Sequence, residues 1–256
     1  MSGCITPLIL TFNEAPNLER TFAPLAWARE VVVLDSFSTD QTLPIAHSRP
    51  NVRVVQRTFD THAAQWTAGV AECRTDWVLA LDADYVLSQE LVEELKHWQP
   101  DPNVDAYYCR FRYCVEGKPL RGSLYPPRAV LFRGARCRYV QDGHTQLLHI
   151  PGAASWLSGA IFHDDRKPLS RWFLDQDRYA KQEAEKLMAA PTLSRSWADW
   201  WRRKGVAAPI LVFLTTLFGK GLILDGWRGW YYVCQRTAAE LMLSLRLVDA
   251  RLQKRK

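Results

Sequence analysis

The chain of 256 residues and 29.4 kDa is 48% hydrophobic and 23% charged, a balance that can bury a core and excludes a disordered or low-complexity polypeptide. Its six cysteines form no CxxC pair, which excludes a zinc ribbon or a dense disulfide framework and reads as reduced thiols. The formal charge of +6 is uneven: residues 195–256 hold 12 Lys/Arg against 4 Asp/Glu, net +8, and the other 194 residues hold 21 against 23, net −2.

The opening "MSGCITPLILTFNEAP" has no basic leader and runs straight into apolar residues ended by Asn13 and Glu14, so it predicts a strand rather than a signal peptide and places the chain in the cytoplasm. "CITPLILTF", "EVVVLDS", "NVRVVQR" and "WVLALDAD" are four short apolar runs, with helical stretches near 16–27, 40–47, 62–73 and 88–98 between and after them. That alternation predicts an α/β fold with a mostly parallel central sheet, because strands covered by helices on both faces read as continuous apolar runs. From about residue 104, "DAYYCRFRY", "AVLFRG", "RCRYV" and "SGAIFHDD" predict further strands, and "KPLSRWFLDQDRYAKQEAEKLMAA" predicts a helix ended by Pro191.

The chain thus divides into a body, 1–190, and a helical, basic, aromatic extension, 191–256. Residues 206–219 are uncharged for 14 positions, too few for a spanning helix, which needs about 20. With Arg202, Arg203 and Lys204 before the run and "RLQKRK" at the end, the extension predicts peripheral contact with an anionic membrane rather than with nucleic acid. In the cytoplasm that surface is the inner face of the plasma membrane.

Polar clusters follow three strands: Thr11, Asn13 and Glu14; Asp35, Ser36, Ser38 and Asp40; Asp82 and Asp84. In an open parallel sheet, ligands bind at the carboxyl ends of strands, so the three clusters should face one crevice. Positions i and i+2 of a strand point to one face, so Asp82 and Asp84 converge on a divalent cation, Mg2+ or Mn2+, if the backbone stays extended through Ala83. Ser88 already fills the capping position of the next helix, which leaves neither aspartate that task. Neither GxGxxG nor GxxxxGK[ST] occurs, which disfavours a dinucleotide fold or a P-loop.

"LILTFNEAPNL", "VVVLDSFSTDQT", "FDTHAAQWTAG" and "WVLALDADYVLS" together resemble the nucleotide-binding half of the family 2 glycosyltransferases with the GT-A fold, in particular bacterial cell-envelope and lipopolysaccharide-core members. The resemblance is strong over 5–98 and returns at "IFHDDRKPLSRW" and "GLILDGWRGWYY". It implies an inverting, metal-dependent enzyme that moves a sugar from a nucleotide-sugar donor, a UDP-sugar foremost, to an envelope glycan or lipid-linked acceptor. It also implies that Thr11, Asn13, Glu14 and Ser36 border the nucleotide, that Asp35 accepts from the base, and that Asp82, Asp84 and His163 surround the metal and diphosphate. Two departures from the family pattern stand out: Tyr85 follows the second aspartate where many members place an acidic residue, and "VQDGHTQLLH" stands where many have a His-Glu or Glu-Asp pair that supplies the base. Asp142 and His144 remain the two candidates for the base. Two alternatives compete: a haloacid-dehalogenase-type phosphatase with Asp82 as nucleophile, and a non-catalytic membrane-surface scaffold.

Overall fold

A computed structural model describes residues 4–142, 145–189, 202 and 207–253. The chain forms two compact units, one of residues 1–119 and 125–167, the other of 120–124 and 168–256.

In the first unit the four apolar runs become β1 (Ile5–Thr11), β2 (Val31–Asp35), β3 (Val52–Gln56) and β4 (Trp77–Asp82), separated by α1 (Ala15–Phe22), α2 (Thr42–His47) and α3 (His62–Glu72). A short strand β5 (Tyr85–Leu87) and α4 (Gln89–Lys96) follow, then β6 (Val104–Val115), β7 (Lys118–Pro119), β8 (Arg128–Arg133), the hairpin β9 (Arg138–Asp142) and β10 (Thr145–His149), and β11 (Ala153–His163). The main sheet has the order β3-β2-β1-β4-β8-β6-β11-β5, with β7 beside β6.

The strands alternate sides with a period of two. Ile5 and Ile9, Val31 and Val33, and Leu79 and Leu81 pack with Leu18 and Phe22 of α1 and Leu91 and Leu95 of α4. Leu8, Val32, Leu34, Val78 and Ala80 pack with Trp66 of α3 on the other face. Burial on both faces is why these strands lack polar alternation.

The sheet is mixed, not mostly parallel. β1 to β4 are parallel, but β8 runs antiparallel to both β4 and β6, and β5 antiparallel to β11. Val130, Leu131 and Phe132 of β8 are enclosed like the parallel strands, so its apolar run carries no sign of direction. Ser88 caps α4 as expected, its Oγ accepting from Leu91 N at 3.2 Å. α4 lies so close to β11 that a Cβ on Gly159 would stand 2.5 Å from the Leu91 backbone, and only glycine permits that approach.

The second unit contains α5 (Leu169–Ala189), α6 (Ala207–Leu214) and α7 (Gly226–Gln253). Ala180, Ala184 and Leu187 of α5 pack against Leu243 and Leu247 of α7. After α6 the chain makes a π turn at Thr215–Gly219, where the Thr215 and Thr216 hydroxyls donate back to the Leu211 and Val212 carbonyls at 2.6 and 2.5 Å. Such back-bonding and π turns bend helices. No single described helix is long and apolar enough to cross a membrane, and 207–219 with 222–253 would be so only as a pair bent by 69°. Arg202, expected to face an anionic surface, instead donates to the buried Glu240 at 2.8 Å, because an enclosed carboxylate requires a partner. Arg203 and Lys204 lie outside the described residues.

Candidate active site

The loops after β1 and β2 are locked together through Asp35. Its Oδ1 accepts from Thr11 Oγ1 at 2.8 Å and Ser38 Oγ at 2.5 Å, and its Oδ2 from Ser38 N at 2.8 Å and Gln56 Nε2 at 3.3 Å. Asp35 has no solvent exposure, and these four donors fill the lone pairs a carboxylate offers, leaving none for a nucleobase in this arrangement. Ser36 Oγ accepts from Gln65 Nε2 at 3.0 Å. Asn13 has φ 56°, in the left-handed region that asparagine tolerates. Its N–H donates to Ser38 Oγ at 2.9 Å and its Oδ1 accepts from Thr39 N at 2.8 Å. Asp40 and Thr42 receive the N–H groups of Ala15 and Glu14 at the start of α1. Ser38 and Asp40 are therefore loop organisers, and they explain why Asn13 and Glu14 keep their positions.

Glu14 belongs to a second network, between α1 and the segment after β11. Lys167 Nζ donates to both Glu14 oxygens at 2.7 and 3.0 Å and lies 3.2 Å from Asp165. Fully buried Asn17 bridges the groups, donating to Glu14 and Asp165 and accepting from Arg20 and Arg166 N. Burial pushes the Glu14 carboxyl up to about 7 against the pull of Lys167. Burial would lower the Lys167 ammonium, but Asp84, Glu14 and Asp165 outweigh it and hold the group well above its ordinary value. Reading residues from the sequence missed Lys167 and Asn17. The signal was the pair of dense polar strings "NEAPNLER" and "HDDRK", which here interlock.

Asp82 ends β4 and Asp84 sits in a turn, so the extended geometry expected through Ala83 is not met. The turn is pinned instead from two sides: Thr21 Oγ1 of α1 donates to Ala83 O at 2.6 Å, and Asp164 N donates to Asp84 O at 3.0 Å. Because β5 pairs with β11 through His163↔Tyr85, His163 arrives beside Asp84, Nε2 to Oδ2 3.1 Å. Burial opposes a charged imidazole, yet Asp84 first, and Asp82 and Asp165 after it, raise His163 above its ordinary value. Burial likewise opposes ionisation of Asp84, but His163 and Lys167 hold its carboxyl below the usual range. Tyr85 is buried at ring distances of 4.9 Å from Phe111 and 5.5 Å from His163, and its hydroxyl bonds that of Tyr125.

Asp84 Oδ1 and His163 Nδ1 are buried without a hydrogen-bond partner among the described residues. An orphaned carboxylate oxygen two residues from a second aspartate fits a hard, oxygen-seeking cation. No three His, Cys, Asp or Glu side chains among the described residues form a ready ligand set, so an ion held by Asp82 and Asp84 would complete its shell from phosphate and water. His163 stands here as a hydrogen-bond partner of Asp84.

Asp142 closes β9 opposite Thr145, in a hairpin anchored by Gln141 accepting from Ala63 N at 3.0 Å and by Tyr139 stacked on Trp66. The Asp142 side chain and all of His144 lie outside the described residues.

Residues 8–163 match the family model described as glycosyl transferase family 2. The chain belongs to glycosyltransferase family 2. An uncharacterized glycosyltransferase of Rickettsia bellii is 38% identical over 104 residues, 40% of this chain and 35% of that protein, so the chain matches only about a third of its length. The lipopolysaccharide core biosynthesis glycosyltransferase LpsC of Rhizobium meliloti is 23% identical over 241 residues, 88% of this chain and 85% of LpsC. Among solved structures, Staphylococcus aureus TarS 1-349 in complex with UDP-GlcNAc is 13% identical with a TM-score of 0.48, covering 98% of this chain and 92% of that one. Glucosyl-3-phosphoglycerate synthase of Mycobacterium tuberculosis, solved with Mn2+, UDP and phosphoglyceric acid, is 16% identical with a TM-score of 0.45, covering 73% and 79%. Membership of this family removes the phosphatase alternative.

Proposed function

We propose that this family 2 member is an inverting glycosyltransferase that uses a nucleotide-sugar donor, a UDP-sugar foremost, and a divalent cation, Mg2+ or Mn2+. The observation that carries this is the orphaned Asp84 oxygen beside Asp82 and His163, on the same sheet edge as the loops of Thr11, Asn13 and Ser36. A cation there would neutralise charge developing on the departing diphosphate. The chain's own residues do the rest. Asp82 and Asp84 hold the leaving-group end, Asn13 and Ser36 border the nucleoside, and Asp35 acts by fixing those loops. His163 and Lys167 keep Asp84 ionised. Asp142 or His144 takes the proton from the acceptor hydroxyl, and a single displacement inverts the anomeric carbon. In a thermal-shift panel, UDP or a UDP-sugar should raise the melting temperature only when Mn2+ or Mg2+ is present. A panel of nucleoside diphosphates and nucleotide sugars with no effect in either condition would contradict the proposal and favour the scaffold alternative.

The acceptor we assign is an envelope glycan or lipid-linked sugar, met at the inner face of the plasma membrane through the helical extension 191–256. Support comes from the apolar side chains that the second unit leaves exposed, Ile210, Leu214, Phe218, Leu224, Trp227 and Trp230, next to Lys220 and Arg228. Aromatic and basic side chains together suit an anionic bilayer surface. The full chain should float with phosphatidylglycerol vesicles, and replacing Leu224 and Trp227 by Ser should leave most of it unbound. A wild-type chain that stays at the bottom of the gradient would refute this.

A further inference from the structure

Arg128 opens β8, the strand on the far side of β4 from the loops of β1 and β2. β8 runs antiparallel to β4, pairing Trp77↔Arg133 through Leu79↔Leu131, so its first residue reaches the edge of the sheet where β4 ends at Asp82. The guanidinium carbon lies 5.1 Å over the ring of Tyr125. Tyr125 in turn bonds Tyr85 through the hydroxyls and stands 4.6 Å, ring to ring, from His163. Arg128 is half-buried, its backbone pairs with Cys109 of β6, and among the described residues its guanidinium forms no hydrogen bond and no ion pair. Asp82 is near enough to act on its charge but not to pair with it. The other half-buried arginines of this unit are engaged differently: Arg20 and Arg166 bind Asp164, Arg53 binds Glu30 and Glu72, Arg49 binds Glu19, Arg57 binds Asp60, and Arg133, which also lies over a ring, that of Trp77, donates to the Val104 and Asp101 carbonyls. A half-buried cation without a carboxylate is costly, and a guanidinium that meets an aromatic ring without spending its N–H donors keeps them for two-pronged binding of a phosphate or carboxylate.

The position in the sheet says which substrate carries that anion. Along the strand order, the nucleotide loops come first, then the Asp82–Asp84 turn, then Arg128. We propose that Arg128 anchors an anionic group of the acceptor, a phosphate or a carboxylate, on the side of Asp82 away from the nucleotide loops, so that the acceptor class is acidic. This deepens the glycosyl-transfer reading and rests on it.

The test is calorimetric, on the full chain, with wild type, Arg128→Gln and Arg128→Lys. UDP is titrated with Mg2+ into each protein. Inorganic phosphate, and glucose 6-phosphate against glucose, are then titrated into each UDP–Mg2+ complex, where the donor's own phosphate positions are filled. The expected result is phosphate and sugar-phosphate binding to the wild-type complex, weakened about tenfold or more in Arg128→Gln and less in Arg128→Lys, with UDP affinity unchanged within about twofold. Unchanged UDP affinity also shows that the variants are folded. Equal phosphate binding in all three proteins overturns the proposal, and so does a tenfold loss of UDP affinity in Arg128→Gln, which would give Arg128 to the donor. Wild type that fails to bind UDP at all would overturn the glycosyl-transfer reading, and this proposal with it.

Discussion

Asp35 and Asp84 follow strands on either side of β1, and both are enclosed, but their surroundings differ in kind. Asp35 receives four hydrogen bonds from Thr11, Ser38 and Gln56 and is sealed from solvent. Asp84 has one oxygen on His163 and the other without a hydrogen-bond partner among the described residues. A saturated carboxylate spends its bonding on the protein and organises loops. One left half-satisfied retains capacity for a ligand, and the protein tolerates it because His163 and Lys167 compensate its charge. Sequence patterns alone treat the two alike, since each is an aspartate after an apolar run.

The contrast can be broken from the Asp35 side. Asp35→Ala strips four donors of their acceptor, two of them on buried Thr11 and on the Ser38 backbone, and should lower unfolding free energy by about 3–5 kcal/mol in urea titrations. Ser38→Ala removes one donor to Asp35 and the acceptor of Asn13 N but keeps the Ser38 N–H bond, so its cost should be smaller, about 1–2 kcal/mol. If both variants were as stable as wild type while losing nucleotide affinity, Asp35 would be a ligand contact rather than an organiser.

Much of the first unit is legible from its residues because β1 to β4 are long enough, apolar enough and separated by helices with their own periodicity. What escaped has specific causes. The direction of β8 cannot be read, since Val130, Leu131 and Phe132 are buried in a mixed sheet as they would be in a parallel one. β5 is three residues long and invisible as a strand, yet its pairing with β11 is what delivers His163 to Asp84. Asp82 and Asp84 were recognisable as a pair for the wrong local reason, because Thr21 and Asp164 fix a turn at Ala83 that no strand period describes. Lys167 escaped because its partner Glu14 lies 153 positions away. Arg202 looked like a surface cation until Glu240, across the second unit, supplied its counter-charge.

The most direct test of the account is calorimetric titration of UDP, with and without Mn2+, into wild type and Asp84→Asn, a variant that keeps the shape of the side chain and a group able to bond His163. Mn2+-dependent UDP binding is expected for wild type, weakened about tenfold or more in Asp84→Asn, with equal, weak binding by both proteins without metal. Full Mn2+-dependent affinity in Asp84→Asn would contradict it.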